Sequence, residues 1–164
     1  MNLKQALNGK LSKKEMSVLS TGFDSSGNIA VIEIPKELEK KEKTIANALL
    51  KVHKHFRTIA KKTSAHSGKY RIEKVKVIAG EKNLIADYKE SGCSFKVSLG
   101  KVYFSPRLST ERLRIAKQVK AGENVGVFFA GVGPYCIVIA KHSKAGKIVG
   151  FEWNPAAVKD FKEN

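Results

Sequence analysis

Little in this chain speaks for an extracellular, membrane-bound or metal-built protein. Two cysteines in 164 residues, Cys93 and Cys136, stand far apart without metal-type spacing, which excludes a disulfide framework and favours free thiols in a reducing cytoplasm. The four histidines, His53, His55, His66 and His142, form no metal-ligand set, and no metal is expected. His53 and His55, two apart on an expected helix, point to different faces. No run approaches the ~18 consecutive apolar residues of a membrane span. The start, Met1-Asn2-Leu3-Lys4-Gln5, lacks the apolar core of a signal peptide. There is one tryptophan, and only four prolines interrupt the chain. No tract is of low complexity and no internal repeat is visible. The expected setting is cytoplasmic.

Acidic residues are also scarce. Thirty-one Lys and Arg against 15 Asp and Glu give a net charge of +16. The excess is uneven: residues 1–107 carry 22 basic and 10 acidic groups. From Lys43 to Ile72 there is no acid at all, while Lys43, Lys51, Lys54, Arg57, Lys61, Lys62, Lys69 and Arg71 are basic. Such a field attracts polyanions and gains affinity by releasing their counterions. A solvated basic surface is the alternative. Lys51, Lys54, Arg57, Lys61, Lys62, Arg71 and Arg107 are the candidate nucleic-acid-binding residues, which the resemblance given below makes RNA-binding.

Apolar periodicity divides the rest. Leu3, Leu7, Leu11, Met16 and Leu19 predict one or two short helices in a segment 1–22. Gly22 to Asn28 is turn chemistry, and Ile29 to Ile34 is a strand that Pro35 ends. Ile45, Leu49, Val52, Phe56 and Ile59 then recur at helical spacing, predicting one long amphipathic helix that opens at Pro35 and has a cationic C-terminal half including Lys61 and Lys62. Tyr70 to Ile78, Leu84 to Tyr88 and Phe95 to Leu99 read as strands, with a turn at Ser91-Gly92. Residues 23–107 thus form a basic α+β domain, expected to bind nucleic acid. Ser109 caps a helix from Thr110 to Val119.

Residues 108–164 open a second, incomplete domain. Val125 to Phe129 is a strand running into the glycine turn Phe129-Ala130-Gly131-Val132-Gly133. A helix from Pro134 to His142 and a strand from Lys147 to Phe151 follow, ending on Glu152, with Asn154-Pro155 opening a last helix. This is the first β-α-β unit of an α/β Rossmann-like fold: glycines admit a ligand to the backbone, and a carboxylate one strand later meets ribose hydroxyls. Two glycines at GxG spacing followed by Pro134 depart from the dinucleotide pattern and favour S-adenosylmethionine over NAD. Both strands read as near-continuous apolar runs, as in a sheet covered on both faces. With an edge left unpaired, self-association through 124–164 is expected. Trp153 and Tyr135 read as partly buried, with stacking on adenine as the alternative.

Lys101-Val102-Tyr103-Phe104-Ser105-Pro106-Arg107-Leu108-Ser109-Thr110-Glu111-Arg112, followed by Phe-Ala-Gly-Val-Gly-Pro, closely resembles the archaeal and eukaryotic tRNA (guanine-37) N1-methyltransferase family. The resemblance extends over nearly the whole chain, through Phe23-Asp24, Gly80-Glu81 and Glu90-Ser91-Gly92-Cys93. It implies a class I methyltransferase fold, S-adenosylmethionine as cofactor, tRNA as partner and methylation of N1 of the guanine beside the anticodon. It implies that Ser105 and Arg112 approach the methionine portion, that Phe129, Ala130, Gly131, Val132 and Gly133 form the turn beside it, and that Glu152 takes the ribose hydroxyls. Arg107 and Arg112 are alternatively phosphate binders. Val127 stands where family members usually carry Asp, which weakens the expected cofactor affinity. A wyosine-pathway aminocarboxypropyl transferase shares the layout, and Gly133-Pro134-Tyr135 favours the methyltransferase. The family's Asn-Pro-Pro-type catalytic motif is not in these residues and no general base is identified. The isolated chain is therefore expected to be inactive or very weak. It reads as an N-terminal portion or split-enzyme half completed by a second polypeptide, as a non-catalytic tRNA-binding module, or as a remnant.

Overall fold

The computed structural model describes residues 1–164, which divide into two compact units: 1–66 with 73–84, and 67–72 with 85–164. In the first unit, two short helices open the chain, α1 (Leu3–Ala6) and α2 (Lys13–Ser17). Each begins with a reciprocal cap, Asn2 with Gln5 and Ser12 with Glu15, so orphan amides at both starts are satisfied. Leu3, Leu7, Leu11 and Leu19 are buried together, the apolar set that marked this segment in the sequence.

A four-stranded sheet follows, in the order β1 (Phe23–Ser26), β2 (Ile29–Ile32), β3 (Thr58–Lys62), β4 (Val75–Gly80). Phe23–Ser26, expected as a turn, is a strand: it pairs antiparallel with β2, Ser26 opposite Ile29, and the turn narrows to Gly27-Asn28. β2 pairs in parallel with β3, Ile29 opposite Thr58, and α3 (Glu42–Val52) makes the crossover. Its face Ile45, Ala46, Ala48 and Leu49 is buried with Ala30, Ile32, Ile59 and Ile78 in one core.

The long helix expected from Pro35 is therefore corrected at both ends. Residues Lys36–Lys41 form a tighter 3-10 turn, and the α-helix stops at Val52. Phe56 and Ile59 continue the apolar period but lie beyond it. Thr58, Ile59 and Ala60 are buried in a central strand, where partners on both sides take the backbone groups a helix would have paired internally. The strand expected from Tyr70 starts only at Val75. Residues 67–72 instead fold as a tight turn belonging to the second unit, closed by the Ser67–Ile72 amide–carbonyl exchange at 3.1 Å each way.

The second unit begins with the hairpin β5 (Ile85–Glu90) and β6 (Cys93–Ser98). Its two-residue loop, Ser91-Gly92, has both residues in the left-handed region, with φ of 47° and 70°, as the twist of a hairpin demands. α4 (Ser109–Ala116), β7 (Asn124–Phe128), α5 (Pro134–His142), β8 (Lys147–Phe151) and α6 (Pro155–Glu163) follow. β7 and β8 pair in parallel around α5, Asn124 opposite Lys147 through Phe128 opposite Phe151. The hairpin is tied to α6, whose Asp160 carboxylate accepts from the Ser98 amide at 2.7 Å and the Ser98 hydroxyl at 2.9 Å. The division expected after residue 107 thus lies inside the second unit, which takes in residues 85–107.

The strands expected to be covered on both faces are not: no residue of β7 or β8 is fully buried. Along β7 every other residue is exposed. Phe128 is 71% exposed and stacks on Phe151 across the pair, ring centroids 5.0 Å apart. Cys93 and Cys136 are free and buried, and burial pushes both thiols up from their ordinary range. No helix is long and apolar enough to cross a membrane.

Candidate functional site

Three segments of the second unit converge at the C-terminal end of β7. The first is the turn 129–133. Ala130 extends the strand ladder by donating its amide to the Phe151 carbonyl at 2.9 Å. Phe129 on one side and Gly131 and Gly133 on the other adopt left-handed φ values of 56°, 58° and 85°. A phenylalanine in that region is uncommon and costs about 1 kcal/mol or more; here its ring is 87% exposed. Gly133 then caps α5 and Pro134 fills the first helical position, where an absent amide costs nothing. A side chain on Gly133 would run into Phe161 of α6, as would one on Gly150 of β8. The turn and the strand are glycine-built because one ring lies against both.

The second segment is the end of β8. Glu152 reaches back across the strand pair, and its Oε2 accepts from the Gly131 amide at 2.8 Å. Its Oε1 accepts from the amides of Trp153 and Asn154, each at 2.8 Å. Asn154 caps α6 through the Ala156 amide and donates from Nδ2 to the Lys101 carbonyl at 2.9 Å. A carboxylate offers about four acceptor positions. Three are engaged by backbone, so two further hydroxyls cannot be taken without releasing one of these amides.

The third segment is residues 101–106. The Tyr103 carbonyl lies 3.7 Å from where a Cβ on Gly131 would stand, so the loop passes directly against the turn. Ser105 is half-buried, and its carbonyl accepts from Arg112 Nη1 and Nη2 at 3.3 Å each. Arg112 itself, expected against a ligand, is buried to 1% exposure, and its Nε and Nη2 donate to the two oxygens of Glu90 at 2.5 Å each. Val127 sits one residue before the end of β7, opposite Gly150.

The candidate RNA-binding residues are not one set. Lys51, at the end of α3, and Lys54 and Arg57, in the connection after it, are exposed in the first unit. Lys61 is paired with Glu42. Lys62 stands among three carboxylates, Asp24 at 3.0 Å, Glu33 at 3.2 Å and Glu73 at 3.5 Å, and holds its strand rather than a free cationic face. Arg71 and Arg107 belong to the second unit, Arg71 with a left-handed φ of 50°. His53 and His55, expected to point apart on a helix, lie after its end and pack with Phe23 and Phe56 in one aromatic cluster, ring centroids 4.0 to 6.0 Å apart. Tyr135 is half-buried as expected, but Trp153 is exposed, edge-on to Tyr70 at 5.4 Å with Lys69 Nζ 5.5 Å over its ring.

Sequence reasoning missed Glu90 and Asp160, and it saw Asn154 only as the opening of the last helix, not its bond to the Lys101 carbonyl. A signal for Glu90 existed: Ala86, Tyr88 and Glu90 share the covered face of β5 by simple alternation, and an acid on such a face needs a buried cation.

Comparison with known proteins gives these segments a family context. A profile described as the TRM5/TYW2 methyltransferase domain matches residues 86–164, and one described as the TYW2 N-terminal domain matches residues 3–83. The chain is 44% identical over 146 residues to the tRNA (guanine(37)-N(1))-methyltransferase Trm5b of Pyrococcus abyssi, covering 89% of this chain and 44% of that protein. It is similar to aTrm5 in its complex structure with tRNALeu, at 31% identity and a TM-score of 0.88, covering 100% of this chain and 49% of the other. It is also similar to P. horikoshii TYW2 in complex with MeSAdo, at 25% identity and a TM-score of 0.79, covering 98% of this chain and 56% of the other. The chain spans about half the length of the relatives it matches.

Proposed function

The chain belongs to the TRM5/TYW2 methyltransferase family, and from that premise we propose that it takes part in transferring a methyl group from S-adenosylmethionine to N1 of guanine 37 of tRNA in the cytoplasm. In this reading residues 3–83 contribute to holding RNA, and residues 86–164 provide the cofactor side of the methyltransferase domain. The observation that carries the reading is the convergence of the left-handed glycine turn 129–133, the Glu152 carboxylate bonded to it, and the 101–106 loop that brushes Gly131.

The residues present fit S-adenosylmethionine chemically. Gly131 leaves the backbone open to a ligand, Glu152 is an acceptor for hydroxyls, and Ser105 carries a hydroxyl in the loop whose Tyr103 carbonyl lies against the turn. Phe129, Ala130, Val132 and Gly133 would shape the turn around the ligand, and exposed Trp153 offers an aromatic face to the adenine. When bound, the cofactor supplies an electrophilic methyl group. The chain's part is to bind and orient it. Taking the ribose hydroxyls requires Glu152 to exchange at least one amide for them, the Gly131 amide being the one from across the strand pair. Arg112 contributes from behind, through the Ser105 carbonyl. On the RNA side the assignment narrows to Lys51, Lys54, Arg57, Arg71 and Arg107; Lys61 and Lys62 act first as internal partners of carboxylates.

Calorimetric titration of the purified chain with S-adenosylmethionine tests the reading. Saturable binding, lost in Glu152→Ala, is expected. No heat with the parent chain and no protection of residues 129–133 from hydrogen exchange would overturn it.

A further inference from the structure

Glu90 and Arg112 form the most deeply buried charged pair of the second unit, at 8% and 1% exposure. The contact is a two-pronged fork, Nε to Oε1 and Nη2 to Oε2, both at 2.5 Å. Such a pair is weak evidence for stability, because desolvation offsets most of the attraction and apolar residues of like volume often serve as well. What distinguishes this one is where its remaining donors go. Arg112 Nη1 and Nη2 both reach the Ser105 carbonyl. Its guanidinium also lies 5.4 Å over the Phe104 ring. On the other side of Glu90, the Tyr88 hydroxyl donates to Oε2 at 3.0 Å, with the Pro106 carbonyl 3.4 Å away as a second acceptor. The Tyr88 ring meets Phe104 edge-on at 4.9 Å. Residues 104–106 are thus gripped from β5 and α4 through one carboxylate.

We propose that Glu90 is a positioning residue for the methyl-donor site: by holding Arg112 in a fixed fork it sets the Ser105 carbonyl, and with it the loop that passes against Gly131. This rests on reading the glycine turn as an S-adenosylmethionine site. Glutamine at 90 is nearly isosteric but accepts with one oxygen only, and its NH2 faces a guanidinium donor. The fork then opens and the carbonyl loses its aim, although the core volume is kept.

Hydrogen exchange of the ligand-free full chain, thermal melting, and calorimetry with S-adenosylhomocysteine together test this. Glu90→Gln should speed exchange at residues 103–108 and weaken the adenosyl ligand about tenfold. The double variant Glu90→Met/Arg112→Met, which removes both charges and keeps the volume, should melt close to the parent yet leave exchange at 103–108 as fast as in Glu90→Gln. Unchanged exchange at 103–108 in a folded Glu90→Gln would overturn the proposal. So would a double variant that regains both the melting temperature and the loop protection, because the pair would then be packing alone. If Glu90→Gln does not fold, the double variant decides. A parent chain that binds no adenosyl ligand sinks the functional reading instead, and the exchange arm still decides whether Glu90 sets the loop.

Discussion

Glu152 Oε2 and the amide of Gly131 lie 2.8 Å apart, joining the end of one strand to the turn that follows its neighbour. The carboxylate proposed to engage a ribose is also the lock that shapes the glycine turn. On that proposal, ligand binding and turn geometry would be coupled through these two residues.

Glu152→Gln should therefore affect both properties. Its NH2 would face one of the three amides that now donate to the carboxylate, which costs about 1–3 kcal/mol where no water relieves it. A lower melting temperature and at least tenfold weaker S-adenosylmethionine affinity are expected, by calorimetry and thermal melting. Unaltered binding would show that the carboxylate does not meet the ligand.

Gly133→Ala should destabilise the second unit by about 3 kcal/mol, combining a left-handed alanine with overpacking against the Phe161 ring. Denaturant titration measures it. Phe161→Ala in the same chain should relieve the clash but not the backbone strain, so a full recovery would contradict the assignment of φ as part of the cost.

Lys51→Ala/Lys54→Ala/Arg57→Ala should weaken tRNA binding and reduce its salt dependence without lowering the melting temperature. Lys62→Ala should do the reverse, lowering the melting temperature by leaving Asp24, Glu33 and Glu73 facing one another without their shared cation. Filter binding over a salt series, alongside melting, separates the two. Equal effects of both variants on RNA would refute the division.

Alkaline pH should destabilise both units. Burial first, then the Glu90 carboxylate, pushes the Tyr88 phenol above its ordinary value near 10. For Lys62, burial alone would lower the ammonium, but hydrogen bonds to Asp24 and Glu33 more than offset it and the net shift is upward. Both folded forms hold their proton more tightly than the unfolded chain. Their stabilisation is complete below about pH 10 and is lost as the pH rises through the raised values. Tyr88→Phe should flatten part of the loss in melts above about pH 10; an unchanged profile would exclude Tyr88 as a contributor.

Phe128→Ser/Phe151→Ser should reduce self-association, because it removes the stacked, exposed aromatic pair from the uncovered face of β7 and β8. Light scattering at high protein concentration is the measurement. A parent chain that stays monodisperse would show that this face does not associate.

The cofactor-type half was legible because its elements carry their own punctuation. The helix Pro134–His142 and the strand Lys147–Phe151 stand where the sequence placed them, since proline, glycine and short apolar runs are local signals. The region from Phe23 to Lys62 was not legible in the same way. Phe56 and Ile59 fit a helical period, but Ile59 is claimed by strands on both sides, a competition that no local window contains. At the site, the turn and Glu152 were named from spacing, and Ser105 with Arg112 from resemblance. The partner of Arg112 was harder to name because Glu90 lies 22 positions away in sequence, and only the alternation of β5 marks that acid as covered.

Because Ile29 pairs with Thr58 in parallel, the first unit cannot close its sheet by zipping alone. The β1–β2 hairpin turns on two residues and is available within about 1–10 μs, whereas β3 arrives only after α3 has formed and docked. Arrival of β3 is then the slow event, with its speed governed by α3 rather than by strand propensity. Substitutions such as Leu49→Ala should chiefly slow refolding, while Ile78→Ala, in the strand that can pair only once β3 has arrived, should chiefly hasten unfolding, a contrast that stopped-flow chevrons would show as high and low φ-values.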